Sequence, residues 1–405
     1  MLSKKTVVLG VTGSIAAYKA VDLASKLTQE GATVEVAMTP AATEFVSPLT
    51  FRAITGRPVV TDMFDSDVEF SIEHVALAER ADVVVVAPAT ADIIARMAAG
   101  MADDTVCCTV LATKAPVIVA PAMHAGMYQN AVTQDNIRRL KARGFHIAGP
   151  AHGRLASGGV GPGRFVEVEE LLAAIRQVLG KSVGLAGRAV LVTAGGTQEP
   201  IDPVRFVGNH SSGKMGYAIA EAARDRGATV TLVAAPNSLP DPAGVKVVRV
   251  GRAVEMREAV LKAAVGKDAL TMAAAVADYQ PKVVSESKMK KGAMSLNLEL
   301  VRTPDILAEV KGIPIKVGFA AESENLLVNA RAKLKQKDLD LIVANDITLP
   351  GSGFGSDNDR VSLIDRRGKV EDLPLMSKRE VAEKVLDRVE TFLKQMRTPS
   401  RKRIG

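Results

Sequence analysis

Several short stretches combine glycine, hydroxyl and basic residues in ways that could hold an anion. Gly10-Val-Thr-Gly13-Ser14-Ile15-Ala-Ala follows a β-branched apolar run and opens a helical pattern, so its backbone N–H groups and the positive helix end could face a phosphate. It lacks the GxGxxG spacing, and a tight strand-to-helix turn with Ser14 as N-cap would use the same residues. Thr39-Pro40 and Pro88-Ala89-Thr90 add small hydroxylated loops after the next two strand-like runs. Loops of this kind gather at the carboxyl edge of an open α/β sheet, and together they outline a nucleotide-like cofactor site. Gly208-Asn209-His210-Ser211-Ser212-Gly213-Lys214-Met215 comes within one residue of GxxxxGK[ST], but Met215 has no hydroxyl for Mg²⁺ and no strand is expected to run directly into the loop. An ordinary P-loop NTPase is therefore not expected, although the donors ahead of the next helix suit a phosphate or an activated carboxylate. Gly351-Ser-Gly-Phe-Gly355 reads as a surface loop.

The elements that must position these loops alternate between short β-branched runs and longer helical patterns, the pattern of parallel sheets covered by helices. Strands are expected at Thr6 to Val11, Thr33 to Met38, Asp82 to Ala87, Pro116 to Ala120 and Phe145 to Ala148, with helices at Ile15 to Gln29 and Ala91 to Ala99. A Gly-rich stretch, Gly149 to Gly163, interrupts this rhythm before a helix at Val168 to Leu179. The pattern restarts at Arg188 to Thr193 and continues near Thr229 to Ala234, Ala269 to Met272, Ile315 to Ala320 and Asp340 to Ala344. Val361 to Asp365 and Val370 to Leu373 read as a hairpin, followed by a helix from Ser377 to Met396. The expectation is two Rossmann-like α/β domains with mainly parallel sheets: 1–180, a linker at 181–187, a second domain at 188–397 and a basic tail at 398–405.

Composition narrows the function classes. With 47% hydrophobic and 24% charged residues the chain can bury large cores, which excludes a disordered protein. Aromatics are 3%, against a surface of stacked platforms for single-stranded nucleic acid, and no clustered basic motif with base-reading elements is present. The net charge of +7 suits anionic small molecules. The only cysteines, Cys107 and Cys108, are adjacent and cannot staple distant segments, which points to a reducing cytoplasm. Neither a secretory signal nor a membrane span is expected, since the longest apolar stretch, Val83 to Met101, is broken by Asp92 and Arg96.

Gly13-Ser-Ile-Ala-Ala-Tyr-Lys19, Pro88-Ala-Thr-Ala-Asp92, Pro121-Ala-Met-His-Ala-Gly-Met127 and Gly161-Pro-Gly-Arg164 resemble the flavin-containing cysteine decarboxylases, which have a flavodoxin-like fold. Thr193-Ala-Gly-Gly-Thr197, Asp202-Pro-Val-Arg205, Asn209-His-Ser-Ser-Gly-Lys214, Ala273-Ala-Ala-Val-Ala-Asp278 and Ala344-Asn-Asp346 resemble phosphopantothenate–cysteine ligase. Their order over both halves is similar to that of the bifunctional bacterial enzymes of coenzyme A biosynthesis. The resemblance implies that the second domain activates 4'-phosphopantothenate with CTP, accompanied by Mg²⁺, through an acyl-cytidylate that cysteine then attacks. It assigns Asn209 and Lys288 to catalysis, Arg205 and Lys214 to the substrate, and Ala275, Asp278, Lys288, Thr303, Pro304, Asp305, Ile306, Phe319, Lys333 and Lys337 to CTP. Lys333 and Lys337 are spaced so that one helix face would present both.

The same resemblance implies that the first domain holds FMN at Gly13, Ser14, Ile15, Thr39, Pro88, Ala89 and Thr90, and substrate at Pro121, Ala122, Met123 and Met127. There it would convert 4'-phosphopantothenoylcysteine to 4'-phosphopantetheine, oxidising the thiol carbon so that the electrons released with CO₂ have an acceptor. His74, ahead of a helix at Val75 to Arg80, matches the base. Two positions depart from the family pattern: His124 stands where an Asn usually binds the substrate carboxylate, and Ser157 where a flap Cys usually protonates the enethiol. Imidazole can donate both hydrogen bonds and protons, so His124 is a candidate for either role. An active ligase fused to an FMN-binding scaffold with impaired decarboxylase activity is the alternative. Homo-oligomers are also implied, trimeric through the decarboxylase and dimeric through the ligase, which together would make a dodecamer.

Overall fold

A computed structural model describes residues 2–63, 73–180, 184–290, 296–322, 324–346, 353 and 355–397. The chain divides into two compact units, Met1–Leu179 and Gly180–Gly405. Residues 181–183 of the expected linker and the tail at 398–405 lie outside the described residues.

The first unit opens with β1 (Thr6–Val11), α1 (Ala17–Gln29), β2 (Thr33–Met38), α2 (Pro40–Thr43), α3 (Pro48–Thr55) and β3 (Val59–Val60). It continues through α4 (Glu73–Arg80), β4 (Val83–Ala89), α5 (Ala91–Ala99), α6 (Thr105–Ala112), β5 (Val117–Pro121), α7 (Ala125–Gln129), α8 (Ala131–Ala142) and β6 (His146–Ile147). A hairpin of β7 (Ala151–Arg154) and β8 (Val160–Arg164) precedes α9 (Val168–Gly180). The sheet is parallel in the order β3-β2-β1-β4-β5-β6, so the chain reverses its direction of travel between β1 and β4. Both faces are buried: Val7, Leu9 and Val11 join a core with α1, α3 and α9, while Val8, Val84 and Val86 join a second core with α5, α6 and α8. This is why the strands read as continuous apolar runs instead of alternating ones.

The second unit follows the same principle. After β9 (Ala189–Ala194) come a hairpin of β10 (Gln198–Pro200) and β11 (Phe206–Gly208), then α10 (Lys214–Asp225), β12 (Thr229–Ala234), β13 (Lys246–Arg249), α11 (Ala253–Ala264) and β14 (Ala269–Met272). A hairpin of β15 (Tyr279–Pro281) and β16 (Leu300–Arg302) leads to α12 (Ile306–Glu309), β17 (Ile315–Glu322), α13 (Leu326–Gln336) and β18 (Leu341–Asp346). The end comprises β19 (Asn358–Asp359), β20 (Val361–Asp365), β21 (Val370–Asp372), β22 (Met376–Ser377) and α14 (Lys378–Arg397). The sheet order is β13-β12-β9-β14-β17-β18-β20-β21, parallel up to β18 and antiparallel beyond it. Val190 and Val192 face α10 and α14, and Leu191 faces the opposite core with α11 and α13.

Local departures from the sequence expectations have identifiable causes. The first helix starts at Ala17, because Ser14 and Ile15 lie in the turn, where the Ser14 hydroxyl accepts from the Ala16 N–H at 3.2 Å. His74 lies inside the first turn of α4 and not ahead of it. The strand β11 does run directly into the Gly208 loop, but it pairs only with β10 and stands outside the parallel sheet. The Gly-rich stretch at 149–163 contains the hairpin β7–β8, with Ser157 exposed at its tip.

The last helix is tied to α10 by buried charge. Asp225 is fully buried and accepts from Arg224 Nε at 2.8 Å and Arg379 Nη2 at 2.8 Å. Arg226 bonds Glu383 at 2.6 Å, Asp387 at 2.8 Å and Glu390 at 2.7 Å. Removing one partner of a buried pair strands the other without water, which costs about 3–5 kcal/mol. Asp225→Ala is therefore expected to lower the unfolding free energy of the second unit by that order, measured by urea denaturation followed on α14.

Candidate active sites

In the second unit two cavities, of about 540 and 550 Å³, lie at the carboxyl edge of the sheet and share Ala274, Val276, Asp278, Phe319 and Lys333 as lining. Loops after a strand order that reverses between β9 and β14 form their walls, the place where open α/β sheets bind ligands. Thr193 and Thr197, both buried, fix the loop after β14: their hydroxyls accept from the N–H groups of Ala274 at 3.1 Å and Ala277 at 2.9 Å. The Thr303 hydroxyl donates to the Ala277 carbonyl at 2.6 Å, which brings the Thr303–Ile306 segment against the same loop.

The first cavity gathers Asp278, Thr303, Pro304, Asp305, Ile306, Phe319, Lys333 and Lys337. Lys333 donates to the Phe319 carbonyl at 2.8 Å and Lys337 to Asp305 at 3.2 Å. Lys337 is the C-cap of α13, one position beyond the helix, yet it lines the cavity with Lys333. The second cavity collects Asn209, Lys214 and Ala275. Asn209 Nδ2 donates to the Val276 carbonyl at 3.0 Å, placing its amide on the wall between the two cavities. Lys214, at the start of α10, donates to the Gly355 carbonyl at 2.9 Å and to Asp357 at 2.7 Å. The described part of the Gly351–Gly355 run is thus not a bare surface loop, because Gly353 is buried and lines this cavity. Lys378 also lines it, although nothing in the local sequence singles it out.

Arg205 and Lys288 line neither cavity. Arg205 instead pairs with buried Asp202 at 2.6 Å and donates to the Met289 carbonyl at 2.6 Å, while Met289 N–H donates back to Asp202 at 3.2 Å. The pair therefore grips the backbone next to exposed Lys288. Burial alone would raise the Asp202 pKa, but the N–H groups of Val204, Met289 and Arg205 and the Arg205 guanidinium outweigh it and hold the carboxyl well below the usual range.

In the first unit the loops after β1, β2 and β4 meet at the carboxyl edge beside the reversal point. The Thr12 hydroxyl donates to the Pro88 carbonyl at 2.6 Å and accepts from Thr90 N–H at 3.3 Å, joining two of them. Thr90 in turn N-caps α5, accepting from Ile93 N–H at 3.2 Å. A Cβ on Gly13 would lie 2.5 Å from the Ala41 Cβ, so only glycine lets the first loop approach α2 this closely. Thr39 is 7% exposed, and its Oγ1 has no hydrogen-bond partner among the described residues. A buried hydroxyl without a partner next to donor-rich loops fits a polar cofactor edge that would complete its bonding.

Pro121 and Ala122 are buried at the end of β5, Met123 is half-buried and Met127 is exposed. His124 is the N-cap of α7, and its Nδ1 accepts from Gly126 N–H at 3.1 Å. With Nδ1 accepting, the neutral ring carries its proton on Nε2. The base of the hairpin is seated on this turn, since Met123 N–H donates to the Gly163 carbonyl at 2.9 Å. Gly163 has φ +117, and a Cβ there would lie 2.3 Å from the Met123 carbonyl oxygen. Cys107 is buried and Cys108 partly so, and burial pushes both thiols up, away from reactivity.

Comparisons with known proteins agree across both units. The Flavoprotein family matches residues 1–180, and the family described as DNA/pantothenate metabolism flavoprotein C-terminal domain matches residues 185–393. The coenzyme A biosynthesis bifunctional protein CoaBC of Vibrio cholerae is 47% identical over 391 residues, 95% of this chain and 98% of that protein. Its counterpart in Escherichia coli is 46% identical over 398 residues, 96% of this chain and 98% of that protein. The chain belongs to the CoaBC family. As in that family, it joins a flavoprotein decarboxylase to a ligase of coenzyme A biosynthesis. Among solved structures, the C-terminal domain of a CoaBC protein is 42% identical, with a TM-score of 0.46, and covers 52% of this chain and 98% of that one.

Membership in the CoaBC family makes the two units separable by assay. Gly163→Ala forces the hairpin off the His124 turn, and misplacement by an ångström costs up to about 10²-fold in rate. Decarboxylation, measured as CO₂ release from phosphopantothenoylcysteine, is expected to fall by that order while amide formation is unchanged. Asp202 is ionised more readily folded than unfolded, so its contribution to stability is full above the unfolded pKa and is lost as pH falls through the folded one. Asp202→Asn is expected to lower the melting temperature at neutral pH, with the gap from the unaltered protein closing as pH drops below about 4.

Proposed function

We propose that the second unit couples 4'-phosphopantothenate to cysteine at the expense of CTP, and that the first unit, with FMN, decarboxylates the product to 4'-phosphopantetheine. The observation that carries the ligase half is the pair of adjoining cavities, one gathering the nucleotide residues and the other Asn209 and Lys214 around a shared wall. A substrate carboxylate lying along that wall can attack the α-phosphorus of CTP, forming an acyl-cytidylate and releasing pyrophosphate. The cysteine amine then attacks the acyl carbon and expels CMP. The second N–H of Asn209, which has no partner among the described residues, is available to the acyl-cytidylate. Lys333 and Lys337 offset triphosphate charge, and Lys288 adds a cation from the segment that Asp202 and Arg205 hold. Among the described residues no group of three or more His, Cys, Asp or Glu side chains converges, so Mg²⁺ would arrive on the triphosphate.

In the first unit Gly13, Ser14, Ile15, Thr39, Pro88, Ala89 and Thr90 would hold FMN, Thr39 through its unpartnered hydroxyl. When bound, the flavin would supply a two-electron acceptor for oxidation of the thiol carbon. His74 removes the thiol proton, and the Nε2–H of His124 pairs with the substrate carboxylate beside Pro121, Ala122, Met123 and Met127. Ser157, at the hairpin tip, has a hydroxyl far less acidic than a thiol, so the returning proton is assigned to His124. Assembly into trimers and dimers belongs to the same proposal and is supported by exposed apolar side chains at Tyr18 and Leu49 in the first unit and Phe206 and Val283 in the second. No helix among the described residues is long and apolar enough to cross a membrane, and a cytoplasmic location is part of this reading.

Incubation of the purified protein with 4'-phosphopantothenate, cysteine, Mg²⁺ and CTP is expected to release pyrophosphate and CO₂ and to form 4'-phosphopantetheine, with ATP a poorer substitute. His74→Asn is expected to keep pyrophosphate release and to lower CO₂ release by about 10²-fold or more, the contribution of a positioned base. Unchanged CO₂ release would remove His74 from the reaction, and failure of any nucleotide to support amide formation would overturn the ligase assignment.

A further inference from the structure

Lys378 is 7% exposed, opens the long helix α14 and lines the second cavity beside Lys214. Its Nζ donates to the carbonyls of Gly353 at 3.0 Å and Ser356 at 2.6 Å, and its own N–H donates to the Asp357 carbonyl at 2.9 Å. It forms no ion pair among the described residues, so neutral carbonyls alone hold the ammonium at close range. An ammonium has three N–H donors, and here two are satisfied.

Three costs meet at this position. A buried cation loses hydration, which full pairing normally offsets. A lysine at the first residue of a helix also opposes the positive end of the macrodipole. Lys214 is bonded to the same segment, at Gly355 and Asp357, and repels it. Burial pushes the Lys378 pKa down and Lys214 adds to this, against the upward pull of Asp359 and Asp357. A side chain kept only for packing would be better served by methionine. A cation retained here at such cost, beside a cavity and with a donor to spare, is explained by an anion that completes its coordination.

We propose that Lys378 is a phosphoryl-binding residue of the second cavity, held by the Gly353 and Ser356 carbonyls so that its remaining N–H meets an anionic oxygen of bound substrate. Lys214, bonded to the same segment, and the Ser211–Ser212 loop, which lines the same cavity, supply the other donors. The proposal rests on the ligase reading for the identity of the substrates. The phosphoryl group belongs either to 4'-phosphopantothenate or to the triphosphate of CTP, and separate titrations distinguish the two.

Full-length protein and its Lys378→Met variant are titrated calorimetrically with 4'-phosphopantothenate, unphosphorylated pantothenate, CTP and inorganic pyrophosphate, and their melting temperatures are recorded. A charge-assisted hydrogen bond lost from the complex weakens binding by about tenfold or more. Weakening of that order for 4'-phosphopantothenate but not pantothenate assigns Lys378 to the acid's phosphate. Weakening for CTP and pyrophosphate alone assigns it to the triphosphate. In either case the melting temperature of the variant is expected to hold or rise, because the buried charge is gone, and Lys378→Arg is expected to restore part of the affinity. Unchanged affinity for all phosphorylated probes would overturn the proposal, as would equal loss for pantothenate and 4'-phosphopantothenate, which indicates a displaced wall. Should Lys378→Met not fold, Lys378→Gln is read in its place. Absence of CTP-dependent ligation by the unaltered protein would sink the ligase reading, while the pyrophosphate titration would still decide the role of Lys378.

Discussion

Both sheets are buried on two faces, and this constraint decides where anything polar can happen. Val7 and Val8, or Val190 and Leu191, point into different cores from neighbouring positions, so neither face of either sheet has room for a ligand. Chemistry is confined to the carboxyl edges, where each strand hands over to a loop and the loop to a helix. In the first unit the edge is organised by one hydroxyl, Thr12, which bridges Pro88 and Thr90. In the second, Thr193 and Thr197 do the equivalent work on the Ala273–Asp278 loop. Buried threonines bonded to loop backbone make the edges rigid without placing charge in them, and the charge is then available from lysines on the flanking helices.

The parallel strands were legible because burial on both faces writes itself as apolar, β-branched runs, as at Thr6–Val11 and Val83–Ala89. Glycine-rich loops after those runs were legible for the same reason. The hairpin β7–β8 was not: its residues alternate glycine, histidine, arginine and proline, and what holds it is its seat on Met123 through Gly163, a contact from outside the segment. Short strands such as β11 exist only by pairing with a partner hairpin strand, so their local composition carries little signal. His74 reads as a residue ahead of a helix, whereas it lies within α4, which includes Glu73. Lys378 is the clearest omission. A lysine at the head of a charged amphipathic helix reads as solvated, and it becomes buried only because the segment bearing Gly353 and Ser356 folds over it.

Two of the buried cations in the second unit, Arg226 and Lys378, have surroundings that differ in a way that separates structure from function. Arg226 is enclosed by Glu383, Asp387 and Glu390, three carboxylates against one guanidinium, all from α14. That arrangement is complete in itself and fixes the last helix against α10, with no donor directed at a cavity. Lys378 begins the same helix and has carbonyl oxygens where Arg226 has carboxylates. The planar guanidinium suits a permanent multidentate pairing, whereas a compact ammonium can hold two fixed acceptors and still exchange a third. The helix therefore does two jobs: residues between Arg379 and Glu390 anchor it through compensated charge, and its first residue brings uncompensated charge to the cavity that Asn209 and Lys214 line. Rigid anchoring is what makes the second job possible, because an unpaired ammonium on a mobile helix would turn to water, and its hydration would cancel the attraction it offers an anion.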